Sequence, residues 1–126
     1  MFLADSNVLI YATQPEYRNL RKWLLNAQPK ISVVSRVEVL GYHKLGADEK
    51  AALTDMLDCM ELVYLTPASY EIAIGLRQQR RLALGDALIA ATCLEHSLGL
   101  ETVNTDDFCW ISELSAVNPL TPSLLE

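Results

Sequence analysis

Acidic residues in this chain recur where an apolar stretch gives way to a helical pattern. Asp5 follows the first apolar stretch, and Glu38 lies one helical turn beyond the second. Asp106 and Asp107 follow a later apolar stretch, and Asp86 opens a helical pattern rich in alanine. Carboxylates that converge on one place in a fold can bind a divalent cation and support hydrolysis of a phosphodiester by water.

Each acid also has a purely structural interpretation. Asp5 and Asp86 are natural helix N-caps, residues 35–38 read S-x-x-E, which is a capping box, and residues 106–107 are ordinary turn residues. Taken together these interpretations are weaker, because converging carboxylates repel one another and raise each other's pKa unless a cation lies between them. Oxygen ligands without a histidine or cysteine cluster indicate Mg²⁺, for which Mn²⁺ can substitute.

The acids must be positioned by a fold in which short apolar strands alternate with helices. Strands are predicted at residues 2–4, 31–34, 61–65, 101–103 and 116–117. Helices are predicted to begin at residue 7 and to cover residues 17–27, 35–45, 48–60, 67–81 and 87–98. This alternation indicates an α/β fold with a mostly parallel sheet covered by helices on both faces. Ligands bind such sheets beyond the carboxyl ends of the strands, where most of the acids fall.

Bulk composition limits the classes of protein to consider. The chain has 126 residues, half of them hydrophobic, which is enough for one domain over residues 1–126. No apolar run approaches the ~20 residues of a membrane span, and the start of the chain lacks the basic region of a secretory signal. Three cysteines without metal-ligand spacing indicate reduced thiols and a cytoplasmic location. The net charge of −6 argues mildly against broad, non-specific nucleic-acid binding.

Four stretches, in order, resemble PIN-domain ribonucleases and in particular VapC-type toxins of toxin–antitoxin pairs. They read LADSNVLIYA, VVSRVEVLGYHKL, LALGDALIAATCLEHSLGLETVNTDDF and the following WI. The resemblance covers nearly the whole chain. It implies a three-layer α/β/α fold with a short, mostly parallel central sheet, and endonucleolytic cleavage of RNA with water as the nucleophile and Mg²⁺ or Mn²⁺ as cofactor.

The resemblance also implies roles for individual residues. Asp5 and Asp86 correspond to the two principal metal-binding aspartates. Glu38 corresponds to an acid on the third helix that shapes the metal site and orients water. Ser6 and Asn7 fall where the family has a hydroxyl residue and an asparagine that support the first aspartate.

The last acid of the site is less sharply defined by the sequence. Asp107 directly precedes Phe108, as the final acid does in the family, and is the preferred candidate. Asn104 and Asp106 remain competitors for the same position.

Basic residues close to Asp86 are candidates for binding RNA. Arg77, Arg80 and Arg81 form the densest positive cluster of the chain and could hold phosphates beside the metal. The alternative is a solvated face, since cations also favour helix C-termini.

The resemblance implies an antitoxin protein as partner, bound in a groove near the site, and a homodimer without membrane attachment. Trp23, Leu24, Tyr42 and Leu45 are candidate groove residues, with ordinary core packing as the alternative for some of them.

Two other functions compete with a toxin ribonuclease. A non-catalytic PIN-like module would bind RNA or protein, and such modules commonly lack one or more of the acids. A receiver-like phosphotransfer domain is a weaker alternative, because it would need adjacent acids after the first strand and a lysine after the last. The chain has Ser6 and Asn7 after Asp5, and no lysine beyond Lys50.

Overall fold

Five short strands form the central sheet in a computed structural model that describes residues 1–120. They are β1 (Phe2–Ala4), β2 (Lys30–Ser32), β3 (Leu62–Val63), β4 (Gly99–Glu101) and β5 (Ala116–Val117). Their order across the sheet is β3-β2-β1-β4-β5, and all four neighbouring pairs are parallel. All carboxyl ends of the strands therefore meet at one edge of the sheet. The last six residues of the predicted domain lie outside the described part.

Helices cover both faces of this sheet. They are α1 (Ser6–Tyr11), α2 (Arg18–Ala27), α3 (Val33–Leu40), α4 (Ala47–Asp58), α5 (Pro67–Gln79) and α6 (Leu84–His96). Short 3-10 turns occupy Pro15–Tyr17 and Thr105–Asp107. The predicted three-layer α/β/α arrangement is confirmed. Among the described helices none has the length and hydropathy needed to cross a bilayer.

The two cores follow from the alternation of side chains along β1. Leu3 is buried with Leu100 and the apolar faces of α5 and α6. Ala4, the next residue, is buried on the opposite face with Ile31 and the apolar faces of α1, α2 and α4. The buried alanines of α6 allow this helix to pack closely against the sheet.

Hydrogen bonds at the N-terminus of α5 fix the position of this helix relative to α6. The Glu95 carboxylate of α6 accepts hydrogen bonds from Thr66 Oγ1 (2.5 Å) and Ser69 Oγ (2.6 Å) at the N-terminus of α5. These bonds, that from Ser69 first, lower the pKa of Glu95. They tie the start of α5 to the last turn of α6, the helix that carries Asp86.

Several predicted boundaries are wrong around α3. The strand predicted to reach residue 34 ends at Ser32, whose hydroxyl accepts a hydrogen bond from the Val34 amide (3.0 Å) and caps α3. The helix predicted to reach residue 45 ends at Leu40. Gly46 does not stop that helix but begins the next one, where its amide donates to Glu49 Oε1 (3.2 Å).

Other boundaries differ by one to three residues. The third strand is shorter than the predicted 61–65, and the fourth ends at Glu101, before residues 102 and 103. Helix α6 begins at Leu84, three residues before the predicted start. The predicted last edge strand, 116–117, is confirmed.

Candidate functional site

Asp5 lies at the carboxyl end of the central strand and is almost fully buried. It is the N-cap of α1, as predicted, since its Oδ1 accepts a hydrogen bond from the Ser6 amide (2.8 Å). Its Oδ2 accepts a second bond from Thr102 Oγ1 (2.9 Å). Burial raises the pKa of Asp5, and the hydrogen bonds from Thr102 and Ser6 lower it. The charges of Glu38 and Asp107 raise it further, so the pKa of Asp5 lies above its usual value.

Glu38 reaches the same edge from the second half of α3. Its Oε1 accepts a hydrogen bond from Ser6 Oγ (2.7 Å), and the same hydroxyl lies 3.0 Å from Ser35 Oγ. The predicted capping box is wrong, because Ser35 lies inside α3 and Ser32 caps the helix. Helix capping therefore does not account for the glutamate at position 38, and its carboxylate joins the acids around Asp5.

Asp86 faces these acids from the first turn of α6. One structural interpretation predicted Asp86 as the N-cap of α6. That prediction is wrong, because Ala83 holds the N-cap position. Its pKa is raised to about 6, first by burial and then by the charges of Asp5, Asp107 and Glu38. The helix N-terminus offers partial compensation for a carboxylate at this point.

The fourth candidate position lies on the 3-10 turn after β4. Asp107 contributes to the raised pKa of both Asp5 and Asp86, so its charge lies within electrostatic range of each. Asp106 lies beside it and lines the same cavity as Asp86. The Asn104 amide donates to Thr102 Oγ1 (3.1 Å), which ties the start of this turn to the residue that holds Asp5.

Thr102 is a site residue that the sequence reasoning missed. It is fully buried, donates to Asp5 and accepts from the Asn104 amide. Asn7 supports Asp5 through this threonine, since its Nδ2 lies 3.4 Å from Thr102 Oγ1 and its Oδ1 accepts from the Val103 amide at the same distance. The sequence carried no signal for this role, because Thr102 fell inside the predicted strand 101–103, whereas β4 ends at Glu101.

The four acids and their surroundings fit a hard divalent cation. All the donors are oxygens. Burial, and after it the charges of Asp5, Asp107 and Glu38, raise the pKa of Asp86, so these carboxylates repel one another without a side-chain cation to compensate. Within residues 1–120 no three acidic, histidine or cysteine side chains stand close enough to form a ready-made ligand set. A cation that keeps several waters and takes only one or two carboxylates, as Mg²⁺ does, suits this wider spacing.

The three candidate arginines separate in the structure. Arg80 and Arg81 line a polar cavity of about 290 Å³ together with Asp86 and Asp107. Arg77 is absent from the residues that line this cavity; its Nε donates to the Leu82 carbonyl (3.1 Å), and it lines an apolar groove beside α5 that Arg81 also borders. Two of the three predicted residues therefore lie beside the acids.

Two of the four candidate groove residues line a groove, and the other two do not. Tyr42 and Leu45 line a groove of about 650 Å³ between α1, α3 and α4, to which the exposed Ile10 contributes. Neither Leu24 nor Trp23 lines this groove. Leu24 is fully buried in the core that also contains Ala4 and Ile31, and Trp23 packs against that core. Core packing is the correct interpretation for Leu24.

Comparisons with known proteins agree with this architecture. The model of the PIN domain family matches residues 2–113. A search of curated proteins returned no match.

Solved structures show the same fold. A toxin–antitoxin complex from Klebsiella pneumoniae contains a chain 30% identical, with a TM-score of 0.78, covering 94% of this chain and 98% of that one. FitAcB from Neisseria gonorrhoeae is 22% identical with a TM-score of 0.76, covering 94% and 98%. DNA-bound VapBC from Salmonella typhimurium is 15% identical with a TM-score of 0.79, covering 93% and 96%.

Proposed function

The chain belongs to the PIN domain family, and from this membership we propose that it is a metal-dependent endoribonuclease that acts as the toxin of a toxin–antitoxin pair. The observation that carries the proposal is the convergence of Asp5, Glu38, Asp86 and Asp107 at one sheet edge, where burial and then the charges of the other three raise the pKa of Asp86. Family membership removes the receiver-like alternative.

Asp5 and Asp86 are the residues that would hold Mg²⁺, for which Mn²⁺ can substitute. When bound, the ion lowers the pKa of an attacking water and neutralises charge on the phosphoryl oxygens. Ser6 and Thr102 keep Asp5 oriented by hydrogen bonds to its two oxygens. These bonds also stabilise its ionised form, which is the form that binds a cation.

Glu38 is the residue proposed to orient the water. Ser6 occupies its Oε1 at 2.7 Å, which leaves Oε2 as the oxygen that accepts a proton from water. Asp107 completes the acidic edge, with Asn104 and Asp106 as its competitors. Arg80 and Arg81 supply positive charge beside the acids, where RNA phosphates must pass.

A cognate antitoxin is the proposed protein partner. One solved chain that is 30% identical comes from a toxin–antitoxin complex. The groove lined by Ile10, Tyr42 and Leu45 exposes apolar side chains and is the proposed site for an antitoxin segment. The three free cysteines agree with the reducing cytoplasm in which such a pair would act.

A homodimer is proposed through the outer face of α5 and α6. Tyr70, Ile74 and Leu84 are large, exposed and apolar, and they border one groove of about 470 Å³. Contiguous exposed apolar surface of this kind is typical of an interface. Sedimentation of the protein and of Ile74→Glu tests the proposal, since the variant is expected to be monomeric.

Cleavage of a mixed RNA by the antitoxin-free protein tests the nuclease itself. Reactions with Mg²⁺, with Mn²⁺ and with EDTA are compared for the wild type, Asp5→Asn and Asp86→Asn. We expect cleavage only with a metal and its loss in both variants, because asparagine removes the charge but keeps the size of the side chain. Asp55→Asn, an exposed aspartate on α4, is the matched control and should cleave normally.

A non-catalytic binding module is the remaining alternative, and metal titration separates it from a nuclease with a narrow target. A folded protein that cleaves no RNA but binds Mn²⁺ through Asp5 and Asp86 retains the site. A folded protein that neither cleaves nor binds Mn²⁺ contradicts the proposal.

A further inference from the structure

Arg80 lies over the indole ring of Trp110 at the border of the acidic edge. The guanidinium carbon is 5.2 Å from the ring centroid, within the range of a cation–π contact. Trp110 is itself held by a hydrogen bond of 2.9 Å from its Nε1 to the Asp107 carbonyl. The indole therefore connects an arginine at the end of α5 to the turn that carries the last acid.

This pair lies in the same cavity as the acids. Arg80 and Trp110 line the polar cavity of about 290 Å³ to which Asp86, Asp106 and Asp107 also contribute. Despite those three carboxylates, Arg80 forms no ion pair with any residue of the described range 1–120. The guanidinium of Arg80 thus lies over the indole, and its N–H donors remain available to a ligand.

Arg80 lies outside α5, so the helix does not restrict the conformation of its side chain. Helix α5 ends at Gln79, and Arg80 has an extended backbone (φ −166°, ψ 167°) and an exposed side chain. An exposed arginine just beyond a helix end samples many rotamers, and ordering it costs entropy when a ligand binds. A ring that fixes the guanidinium in advance reduces that cost.

Building on the proposed ribonuclease function, we propose that Trp110 is a positioning residue that holds Arg80 to bind an RNA phosphate flanking the cleaved bond. The ligand class follows from the donor set. A planar guanidinium with free N–H groups matches the oxygens of a phosphodiester.

The test measures affinity for a short, fluorescein-labelled single-stranded RNA in EDTA, where cleavage is absent, at several salt concentrations. We expect Arg80→Gln and Trp110→Leu each to weaken binding about tenfold. Each should also reduce the slope of log affinity against log salt by about 0.7, the value for one phosphate contact on a single strand. Arg18→Gln removes an exposed charge on α2 and should change neither quantity.

The double variant Arg80→Gln/Trp110→Leu decides whether the two residues act as one unit. If Trp110 acts through Arg80, the double variant binds no more weakly than Arg80→Gln alone. Trp110→Phe keeps an aromatic face without the N–H donor and should bind nearly as well as the wild type. Additive losses would show that Trp110 contacts RNA independently and would overturn the inference.

Failure of this inference is distinct from failure of the proposed function. A wild type that cleaves RNA, with Trp110→Leu folded and unchanged in affinity and salt slope, removes the positioning role alone. A wild type that neither binds nor cleaves RNA removes the proposed function and the positioning role together.

Discussion

Thr102 Oγ1 donates a hydrogen bond of 2.9 Å to Oδ2 of Asp5, and this bond joins two neighbouring strand ends. Both residues are buried, and β1 and β4 pair in parallel with Ala4 opposite Glu101. The parallel pairing thus places the residue after each strand side by side. The orientation of the first acid depends on a hydroxyl almost a hundred positions away in the sequence.

Replacing this hydroxyl tests its effect on the proposed metal site. Thr102→Val keeps the volume and removes the donor that lowers the pKa of Asp5, so a larger fraction of Asp5 is protonated. We expect Mn²⁺ affinity and RNA cleavage to fall about 10- to 100-fold, the usual effect of removing a group that orients a metal ligand. Calorimetric titration with Mn²⁺ and a cleavage assay measure the two quantities.

Thr102→Ser is the matched control because it keeps the donor and removes only a methyl group. It should retain most of the wild-type metal affinity. Equal losses in the serine and valine variants would attribute the effect to packing and would contradict the orienting role.

Gly85 gives a second test, directed at Glu38. A methyl group at this position would lie 2.7 Å from Glu38 Oε2, the oxygen assigned to the water. Because the nearest atom is the end of a flexible side chain, Gly85→Ala should displace the carboxylate and leave the fold intact. Alanine also favours the helix by up to about 1 kcal/mol over glycine.

The expected result is therefore a folded protein of equal or higher melting temperature with cleavage reduced at least about tenfold. Circular dichroism on heating and the cleavage assay are measured on the same sample. Unchanged cleavage in Gly85→Ala would show that the position of Glu38 Oε2 does not matter for the reaction.

Sequence periodicity was sufficient to predict the sheet and the edge at which the acids meet. Parallel strands bring their carboxyl ends to one edge, so Asp5 and the residues after the fourth strand were expected at the same edge. The strand order that makes β1 and β4 neighbours came from the structure. The sequence could not resolve what the hydroxyls do. Thr102 looked like a strand residue because threonine favours strands, and its hydrogen bond to Asp5 depends on tertiary pairing.

Helix starts were misplaced for a related reason. Ser32 and Ser35 are both acceptable caps, and only the point at which β2 stops pairing with β3 selects Ser32. At α6 the helix begins at Leu84 behind an alanine cap that has no sequence signature, so Asp86 was given the cap position. Strands of two or three residues are too short for their boundaries to be read from alternation alone.

Metal affinity should depend on pH through Asp86. Its pKa is raised to about 6, and the ionised form is the one that binds a cation. Affinity for Mn²⁺ is therefore expected to be constant above about pH 7 and to fall about tenfold per unit below about pH 6. Calorimetric titrations across this range measure the change.

Asp86→Asn removes the titrating group and should bind Mn²⁺ weakly at every pH, with a flatter dependence between pH 6 and 7 than the wild type. Asp55→Asn on the exposed surface should reproduce the wild-type curve. Identical slopes in the wild type and Asp86→Asn would assign the titration to another carboxylate.

Glu101 should make the stability of the fold depend on pH. Its side chain is only 3% exposed, and in the described part of the chain Oε2 has no hydrogen-bond partner. Burial raises its pKa from 4.5 to about 7. Between these values the folded protein holds a proton that the unfolded chain has released, so the free energy of unfolding decreases as the pH rises through this window. The contribution is complete below about pH 4.5 and is lost by about pH 7, up to about 3 kcal/mol in total.

Glu101→Gln keeps the size of the side chain and removes the titration. Urea unfolding in EDTA, from about pH 5 to about pH 8, excludes metal binding and gives the free energy of unfolding of both proteins. We expect the variant to gain stability relative to the wild type as the pH rises, because a buried amide has no charge to desolvate.

Glu113→Gln, which replaces an exposed glutamate, is the control and should follow the wild-type curve. A constant difference between Glu101→Gln and the wild type at every pH would show that Glu101 does not titrate in this range. A difference that grows up to about pH 7 and then levels off would identify a buried carboxyl group beneath the strand end that carries the acidic edge.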